Sequence, residues 1–170
     1  MQNLAIKLYT LGYKDVRTYM VAVLFVLGNI VLPLLFHLVP RGGMMWLPIY
    51  FFTLVGAYKY GWKAGLLTAV LSPITNSLLF GMPMPQVLPA ILLKSVLLAL
   101  AAGFAAHHYN KASLSLLLAT VLFYQVVGTL GEWALSGSFW IAVQDFRIGI
   151  PGMLLQIFGG YAFINYIIRK

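Results

Sequence analysis

One lysine, Lys94, lies inside a long apolar stretch, and its position calls for a chemical explanation. An ammonium near the centre of a membrane helix costs about 2.5–3.5 kcal/mol on insertion scales, so it is expected to face a cavity or a partner. In a ligand site it would pair with a carboxylate or a phosphate. The alternative is snorkelling, because the lysine stem is long enough to carry the ammonium to the membrane interface. The sequence leaves both interpretations open.

Two amide side chains, Asn76 and Gln125, also lie within apolar stretches. Each amide supplies both a donor and an acceptor, which suits a small polar ligand. Each is equally suited to a hydrogen bond between neighbouring helices, which is worth about 0.6 kcal/mol on average in membranes. The two residues are therefore candidates for the site, with interhelical bonding as the alternative.

Charged and aromatic residues gather around the longest polar connection of the chain. Glu132 and Trp133 precede this connection, Trp140 lies within it, and Asp145 and Arg147 lie at its end. Aromatic faces with a few charges around a cavity form a typical mouth for a small-molecule site. For the two tryptophans, an ordinary aromatic belt at the membrane interface is an equally good interpretation.

Several kinds of chemistry have too few residues to support them. The chain has no cysteine and only three acidic residues. It contains no Gly-rich phosphate loop and no Ser-His-Asp set, and the adjacent His107 and His108 would point about 100° apart on a helix with no third ligand nearby. We therefore expect no enzymatic activity, no metal site and no cofactor.

The composition indicates the kind of elements that must position these residues. The 170 residues are 62% hydrophobic and 8% charged, with a mean hydropathy of +0.92. Soluble domains carry about a quarter charged residues, so the sequence predicts an all-α integral membrane protein. The net charge of +8 comes from basic residues that flank apolar stretches, which indicates contact with anionic lipid rather than nucleic acid.

The apolar stretches predict six transmembrane helices in a single membrane domain, residues 1–170. Residues 1–18 alternate apolar and basic positions, as in a segment that lies at the cytoplasmic interface. A helix of about 20 residues crosses a hydrocarbon core of about 30 Å. The predicted helices cover residues 19–39, 44–58, 64–80, 87–106, 114–130 and 148–168.

The basic residues predict the orientation of these helices. They are concentrated at alternate connections, and cytoplasmic connections are the ones that retain Lys and Arg. Both termini are therefore predicted to lie in the cytoplasm, with the chain crossing the cell membrane several times. The other set of connections holds only Arg41 and Arg147. The predicted cytoplasmic set is Lys7, Lys14, Arg17, Lys59, Lys63, Lys111, Arg169 and Lys170.

Several short motifs, in this order and spacing, resemble the substrate-binding S components of energy-coupling factor (ECF) vitamin transporters. The resemblance covers about residues 18–170 and includes an apolar-Leu-Pro entry to the second helix. It also includes a Gly-rich turn, a Gly-Met-Pro turn after the third helix and a Gly-x-Pro-Gly opening of the last helix. The residues that carry it are Met44–Pro48, Gly56, Gly61, Gly65, Ser72-Pro73, Gly81-Met82-Pro83 and Gly149–Gln156.

The resemblance implies a function. S components form bundles of six helices that bind a water-soluble vitamin or precursor from outside. They deliver it inward together with a transmembrane coupling protein and two cytoplasmic ABC ATPases. In this chain, an acidic group of the substrate would pair with Lys94 and Arg147, and its ring would stack on Trp46 and Trp133. The family's ligand-binding regions correspond here to Arg41, Trp46, Asn76, Lys94, Glu132, Trp133 and Arg147.

The chain departs from the family pattern at two places. Many members carry two alanines four apart in the first helix as the face that docks on the coupling protein. Here the residue four positions after Ala22 is Val26 rather than an alanine. Ala22 and Gly28 are therefore the remaining candidates for docking. Many relatives also carry a glutamate near the position of Lys94, and the reversed charge favours an anionic substrate. The identity of the substrate is not encoded in these motifs.

Two other functions fit a small bundle of membrane helices. A structural scaffold of the cell-shape machinery, resembling the rod-shape protein MreD, needs no ligand cavity, and Lys94 would then be a packing or partner contact. An ion-coupled carrier needs carboxylates within the membrane. The sequence provides none inside its predicted helices, so the carrier is disfavoured.

Overall fold

The computed structural model describes residues 8–168, and the regular elements in this range are all helical. A 3₁₀ turn, Pro48–Tyr50, separates the second helix from the third, and the last helix has wide π-type turns at Leu155–Gly159 and Phe163–Ile167. In order, the helices are α1 Val16–Phe36, α2 Gly42–Trp46, α3 Phe51–Tyr60, α4 Trp62–Phe80, α5 Leu88–Tyr109, α6 Leu114–Ser136, α7 Phe139–Ala142, α8 Gln144–Ile148 and α9 Ile150–Ile167.

Five helices are long and apolar enough to cross a membrane, by their length and composition: α1, α4, α5, α6 and α9. They contain 18 to 23 residues, and at 1.5 Å per residue the longer ones reach about 30 Å or more. The chain is therefore an all-helical protein of the membrane type. The predicted helices in these regions agree in position, although α1 begins at Val16 and α6 continues to Ser136.

The second predicted span, 44–58, is not one continuous helix. Helix α2 ends at Trp46, because Leu47 adopts a left-handed conformation with φ of 45° that no α-helix accommodates. Pro48 follows and has no backbone N–H to continue the hydrogen bonding. Helix α3 then begins at Phe51 and has 10 residues, about 15 Å, which is half the thickness of a hydrocarbon core.

The short helix α3 nevertheless lies at the centre of the bundle. Leu54, Val55, Ala57 and Tyr58 on this helix are fully buried. Gly65 of α4 faces Ala57 so closely that any added Cβ would overlap it. Small residues thus let α3 and α4 approach at backbone distance, as is usual for helices packed in membranes.

The segment before α1 is not helical in its described part. The Tyr9 N–H donates to the Lys59 carbonyl at 2.8 Å, and the Leu11 N–H donates to the Tyr60 carbonyl at 3.1 Å. Asp15 caps α1 by accepting a bond from the Arg17 N–H at 2.9 Å. The predicted interfacial segment 1–18 is thus attached to the end of α3, while residues 1–7, 169 and 170 lie outside the described residues.

A buried polar network joins α1, α3 and α4 through Asn29. Its side-chain amide donates to the Thr53 hydroxyl at 3.2 Å and to the Ser72 hydroxyl at 3.1 Å, and its oxygen accepts from the Phe52 N–H. The Asn76 amide donates to the carbonyls of Asn29, at 3.0 Å, and Ser72, at 2.9 Å. This arrangement matches the interhelical alternative for Asn76.

Short connections join α3 to α4, α4 to α5 and α5 to α6, so successive helices run in opposite directions. One end of the bundle therefore collects the end of α6, the start of α5 and α9, and the short helices α2, α7 and α8. We call it the Lys94 end. The opposite end, the basic end, carries Lys14, Arg17, Lys59, Lys63 and Lys111.

Candidate functional site

A buried ion cluster lies at the Lys94 end of the bundle. The Lys94 Nζ donates to Glu132 Oε2 at 2.5 Å and to Asp145 Oδ2 at 2.7 Å. The lysine side chain is 2% exposed, and each carboxylate side chain is 15% exposed. We call Lys94, Glu132 and Asp145 the Lys94 cluster; its three members come from α5, α6 and α8.

Local features of the sequence bring these three side chains together. Lys94 lies two turns into α5, and Glu132 lies in the last turns of α6. Gly128, one turn before Glu132, leaves room for the lysine stem, since an added Cβ would lie 2.5 Å from Lys94 Cγ. Asp145 is held by its own backbone, because its carbonyl accepts the Gly149 N–H at 2.8 Å.

The formal charges of the Lys94 cluster do not cancel. One ammonium faces two carboxylates, which leaves one excess negative charge. Arg147, close by in the chain, is exposed and places its guanidinium 5.8 Å from the centre of the Trp140 ring. Within residues 8–168 it makes no ion pair with either carboxylate. The excess charge is thus not neutralised by the described part of the chain.

A second polar group lies deeper in the bundle. The Tyr124 hydroxyl donates to Gln156 Oε1 at 2.9 Å, and Gln125 Nε2 donates to the Tyr124 hydroxyl at 3.1 Å. The Tyr50 ring packs on the Tyr124 ring with centres 5.5 Å apart. We call Tyr124, Gln125 and Gln156 the glutamine–tyrosine network. All three of its side chains are fully buried.

Several polar atoms in this region have no hydrogen-bond partner among the described residues. They are Gln125 Oε1, Gln156 Nε2, Thr129 Oγ1 and, on the residue after Lys94 in α5, Ser95 Oγ; their side chains are 0%, 0%, 7% and 0% exposed. Each buried polar atom without a partner costs about 1–3 kcal/mol. Two of these atoms belong to the glutamine–tyrosine network, so part of that cost falls on the deeper polar group.

Helix α6 connects the two groups. Gln125, Thr129 and Glu132 are spaced by four and three residues, so they share one face of the helix. A rise of 1.5 Å per residue separates Gln125 from Glu132 by about 10 Å along the axis. The polar face therefore extends from the carboxylates at the Lys94 end toward the middle of the bundle.

Two of the motifs that carry the family resemblance also meet at this end. Gly152, near the start of α9, lies so close to the Trp46 carbonyl that an added Cβ would overlap it. A Cβ on Gly149 would lie 2.9 Å from Leu47 Cδ1. The apolar-Leu-Pro segment and the Gly-x-Pro-Gly segment thus pack on each other, and Gly149 holds Asp145.

The structure brings together only part of the predicted site. Lys94 and Glu132 are in the Lys94 cluster, and Gln125 is in the glutamine–tyrosine network. The Lys94 ammonium is buried and paired, so snorkelling does not describe it. Asn76 instead belongs to the Asn29 network between α1 and α4. Glu132 and Asp145 pair with the buried lysine; Glu132 lies in α6, which continues past the predicted end at residue 130 to Ser136, and Asp145 lies in the short helix α8.

The predicted aromatic and arginine residues make no described contact with the Lys94 cluster. Trp46 stacks on Phe36 with ring centres 5.3 Å apart. Trp133 packs edge-on against Phe139 and is exposed, as an interfacial tryptophan would be. Arg41 is exposed in the turn before α2, with φ of 58°.

The two predicted docking residues do not form an outer face. Ala22 is 2% exposed, and a Cβ on Gly28 would lie 2.7 Å from Phe52 Cδ2. Both residues therefore face the interior, where their small size lets α1 pack on α3. The prediction of a docking surface at Ala22 and Gly28 is corrected accordingly.

Three residues of the site were not singled out in the sequence: Tyr124, Thr129 and Gln156. The signal for them was polar side chains within otherwise apolar helices: Tyr124 directly precedes Gln125, Thr129 lies four residues after Gln125, and Gln156 lies four residues after Gly152. Within residues 8–168, no three His, Asp or Glu side chains are grouped so that they could hold a metal ion. A comparison of the chain with protein-family models, curated proteins and solved structures finds no match.

Proposed function

We propose that this chain is the substrate-binding membrane subunit of an ECF-type importer. It captures a water-soluble vitamin or precursor at the Lys94 end. It then passes the substrate inward with a transmembrane coupling protein and two ABC ATPases, which carry out the ATP hydrolysis. In this proposal the chain lies in the cell membrane as a bundle of six segments, of which α3 is the short one.

The observation that carries this proposal is the polar site at the Lys94 end. The Lys94 cluster holds an excess charge, and the glutamine–tyrosine network beside it holds partnerless polar atoms. Both features cost free energy in a bundle that has only to pack, since apolar residues of the same volume would serve as well or better. A bound polar molecule offsets that cost, so the arrangement supports a ligand site.

The basic end supports an orientation for this site. Lys14, Arg17, Lys63 and Lys111 are at that end, and cytoplasmic ends of membrane helices collect such residues. The Lys94 end then faces outward, where a substrate arrives. Because the chain has no cysteine, single cysteines can report the orientation without background.

The orientation is tested by labelling intact cells with a membrane-impermeant maleimide. Ser136 and His107 are exposed at opposite ends of the bundle. We expect Ser136→Cys to react in intact cells, and His107→Cys to react only after the membrane is permeabilised. The reverse pattern would overturn the proposed orientation.

A scaffold of the cell-shape machinery, resembling MreD, is the second candidate. The observation in its favour is that the chain's own carboxylates pair with Lys94. An ion cluster of this kind can simply fix the register of α5, α6 and α8. The scaffold, however, gives no reason for the partnerless amides of Gln125 and Gln156.

Affinity purification from the native membrane in mild detergent distinguishes the two candidates. The tagged chain is compared with an equally expressed, unrelated multi-pass protein, and the accompanying proteins are identified by mass spectrometry. Recovery of two ABC ATPases and a coupling membrane protein is the expected result. Recovery of cell-wall synthesis proteins without ATPases would refute the importer and favour the scaffold.

A further inference from the structure

The charge balance of the site points to the class of its substrate. We infer that the substrate carries one positive charge, and that its cationic group binds at Glu132 and Asp145. This inference rests on the proposed function and names its substrate class. It replaces the expectation of an anionic substrate, which followed from Lys94 considered alone.

The two carboxylates retain free acceptor atoms. Lys94 occupies Glu132 Oε2 and Asp145 Oδ2, while Glu132 Oε1 and Asp145 Oδ1 accept no hydrogen bond from residues 8–168. Both side chains are 15% exposed, so neither carboxylate is fully enclosed. An ammonium or a protonated ring nitrogen donates to such oxygens and cancels the excess negative charge.

An anionic group finds a much poorer environment at the same place. The Lys94 ammonium has three N–H donors, and two of them are directed to Glu132 and Asp145. An anion would also approach a cluster whose formal charge is already negative. To replace either carboxylate at Lys94, it would have to break an ion pair in a largely buried position.

The remaining polar atoms suit an uncharged polar part of the same molecule. Gln125 Oε1 and Thr129 Oγ1 offer acceptors, the threonine hydroxyl also donates, and Gln156 Nε2 offers a donor. Gln125 and Thr129 share the α6 face of Glu132, with Gln125 about 10 Å from it along the helix axis, and Gln156 on α9 is joined to Gln125 through the Tyr124 hydroxyl. A small molecule with a cation at one end and an amide-like or pyrimidine-like edge at the other fits this spacing.

The test uses the full chain purified in mild detergent, with thermal unfolding and equilibrium binding as readouts. The cationic probes are thiamine and pyridoxamine, and the anionic probes are biotin and pantothenate. We expect at least one cationic probe to raise the unfolding temperature, and neither anionic probe to do so. Stabilisation by an anionic probe, or by neither cation, would overturn the inference.

Two variants connect the effect to the carboxylates. Asp145→Asn makes the Lys94 cluster neutral and keeps its shape, so we expect the Kd for the stabilising cation to rise about tenfold or more. Glu132→Gln serves as a second variant if Asp145→Asn lowers the yield of folded protein. The matched control is Asp15→Asn at the basic end, where asparagine preserves the helix cap and the Kd should not change. An unchanged Kd in both cluster variants contradicts the inference.

The failure of this inference is distinguishable from the failure of the proposed function. A chain that is purified together with two ATPases but is stabilised only by biotin or pantothenate remains an importer subunit with a different substrate class. A chain that binds a cation but is purified with cell-wall proteins loses the importer function and with it the reason for calling the ligand a substrate.

Discussion

Replacing Lys94 by methionine is the most direct perturbation of the ion cluster. Methionine has nearly the same length and fits the space over Gly128, so the change removes the charge with little loss of packing. Glu132 and Asp145 are then left as two unpaired carboxylates at the Lys94 end. We expect the folded state to be destabilised, because removing one partner of a buried pair leaves charges without compensation.

The magnitude follows from the two ion pairs. Each charge-assisted bond is worth about 1.5–3 kcal/mol, and breaking a buried pair costs about 3–5 kcal/mol. The carboxylates are 15% exposed, so water and protonation recover part of this cost. We therefore expect Lys94→Met to lower the free energy of unfolding by about 3 kcal/mol. If the cluster binds a cation, the variant should still bind it, since both carboxylates remain.

The assay is reversible unfolding in mixed micelles of mild detergent and sodium dodecyl sulfate, followed by circular dichroism. The control Lys111→Met changes an exposed lysine in the connection between α5 and α6 and should stay within about 0.5 kcal/mol of the parent. The triple variant Lys94→Met, Glu132→Gln, Asp145→Asn has no charge left to compensate and should regain most of the loss. A stable single variant, or a triple variant no better than the single one, would refute this reasoning.

Three further substitutions test the packing and the polar networks. Gly103→Val should lower the free energy of unfolding by about 1–3 kcal/mol, because the new side chain overlaps the Trp62 backbone and forces α4 from α5. Its control is Gly12→Ala, because a Cβ added at Gly12 has no neighbouring atom within 4 Å. Asn29→Leu should lower it by about 1–3 kcal/mol by removing the bonds that join α1 to α3 and α4, as measured by the same unfolding assay. Tyr124→Phe removes the hydroxyl between two buried amides, so we expect a lower unfolding temperature without ligand and weaker binding of the stabilising cation.

Hydropathy was sufficient to locate the long helices but not the break in the second span. Apolar length and flanking basic residues are local signals, so α1, α4, α5, α6 and α9 were predicted with errors of at most six residues at their ends. The left-handed conformation of Leu47 could not be predicted in this way, because leucine rarely adopts it. Gly149 and Gly152 pack against this turn. Such contacts join segments that are far apart in the sequence, so local composition does not reveal them.

The candidate site was likewise only partly predictable from the sequence. The sequence identified Lys94 and Gln125 because polar groups in apolar helices are costly, and it identified Glu132 as part of the charged and aromatic mouth. It could not show that Asp145 turns back onto Lys94, since that depends on how the short helix α8 packs on the bundle. Because the contact between Asp145 and Lys94 was not predicted, the net charge of the site was inferred from Lys94 alone, as positive. Ala22 and Gly28 were misplaced because a small residue is equally compatible with an inner and an outer face.

The irregular second segment gives an independent argument for a site at the Lys94 end. The Tyr50 ring packs on Tyr124, which lies about halfway along α6, so α3 begins near the middle depth of the bundle. Between this depth and the Lys94 end, α2 and the turn at residues 47–50 take the place of a spanning helix. Non-helical backbone at membrane depth is tolerated only where it is enclosed by protein or lines a polar cavity. Here it is enclosed by protein, since Leu47, Pro48 and Tyr50 are buried, and it borders the glutamine–tyrosine network through Tyr50. The interruption that shortens α3 therefore places non-helical backbone beside the deep polar groups.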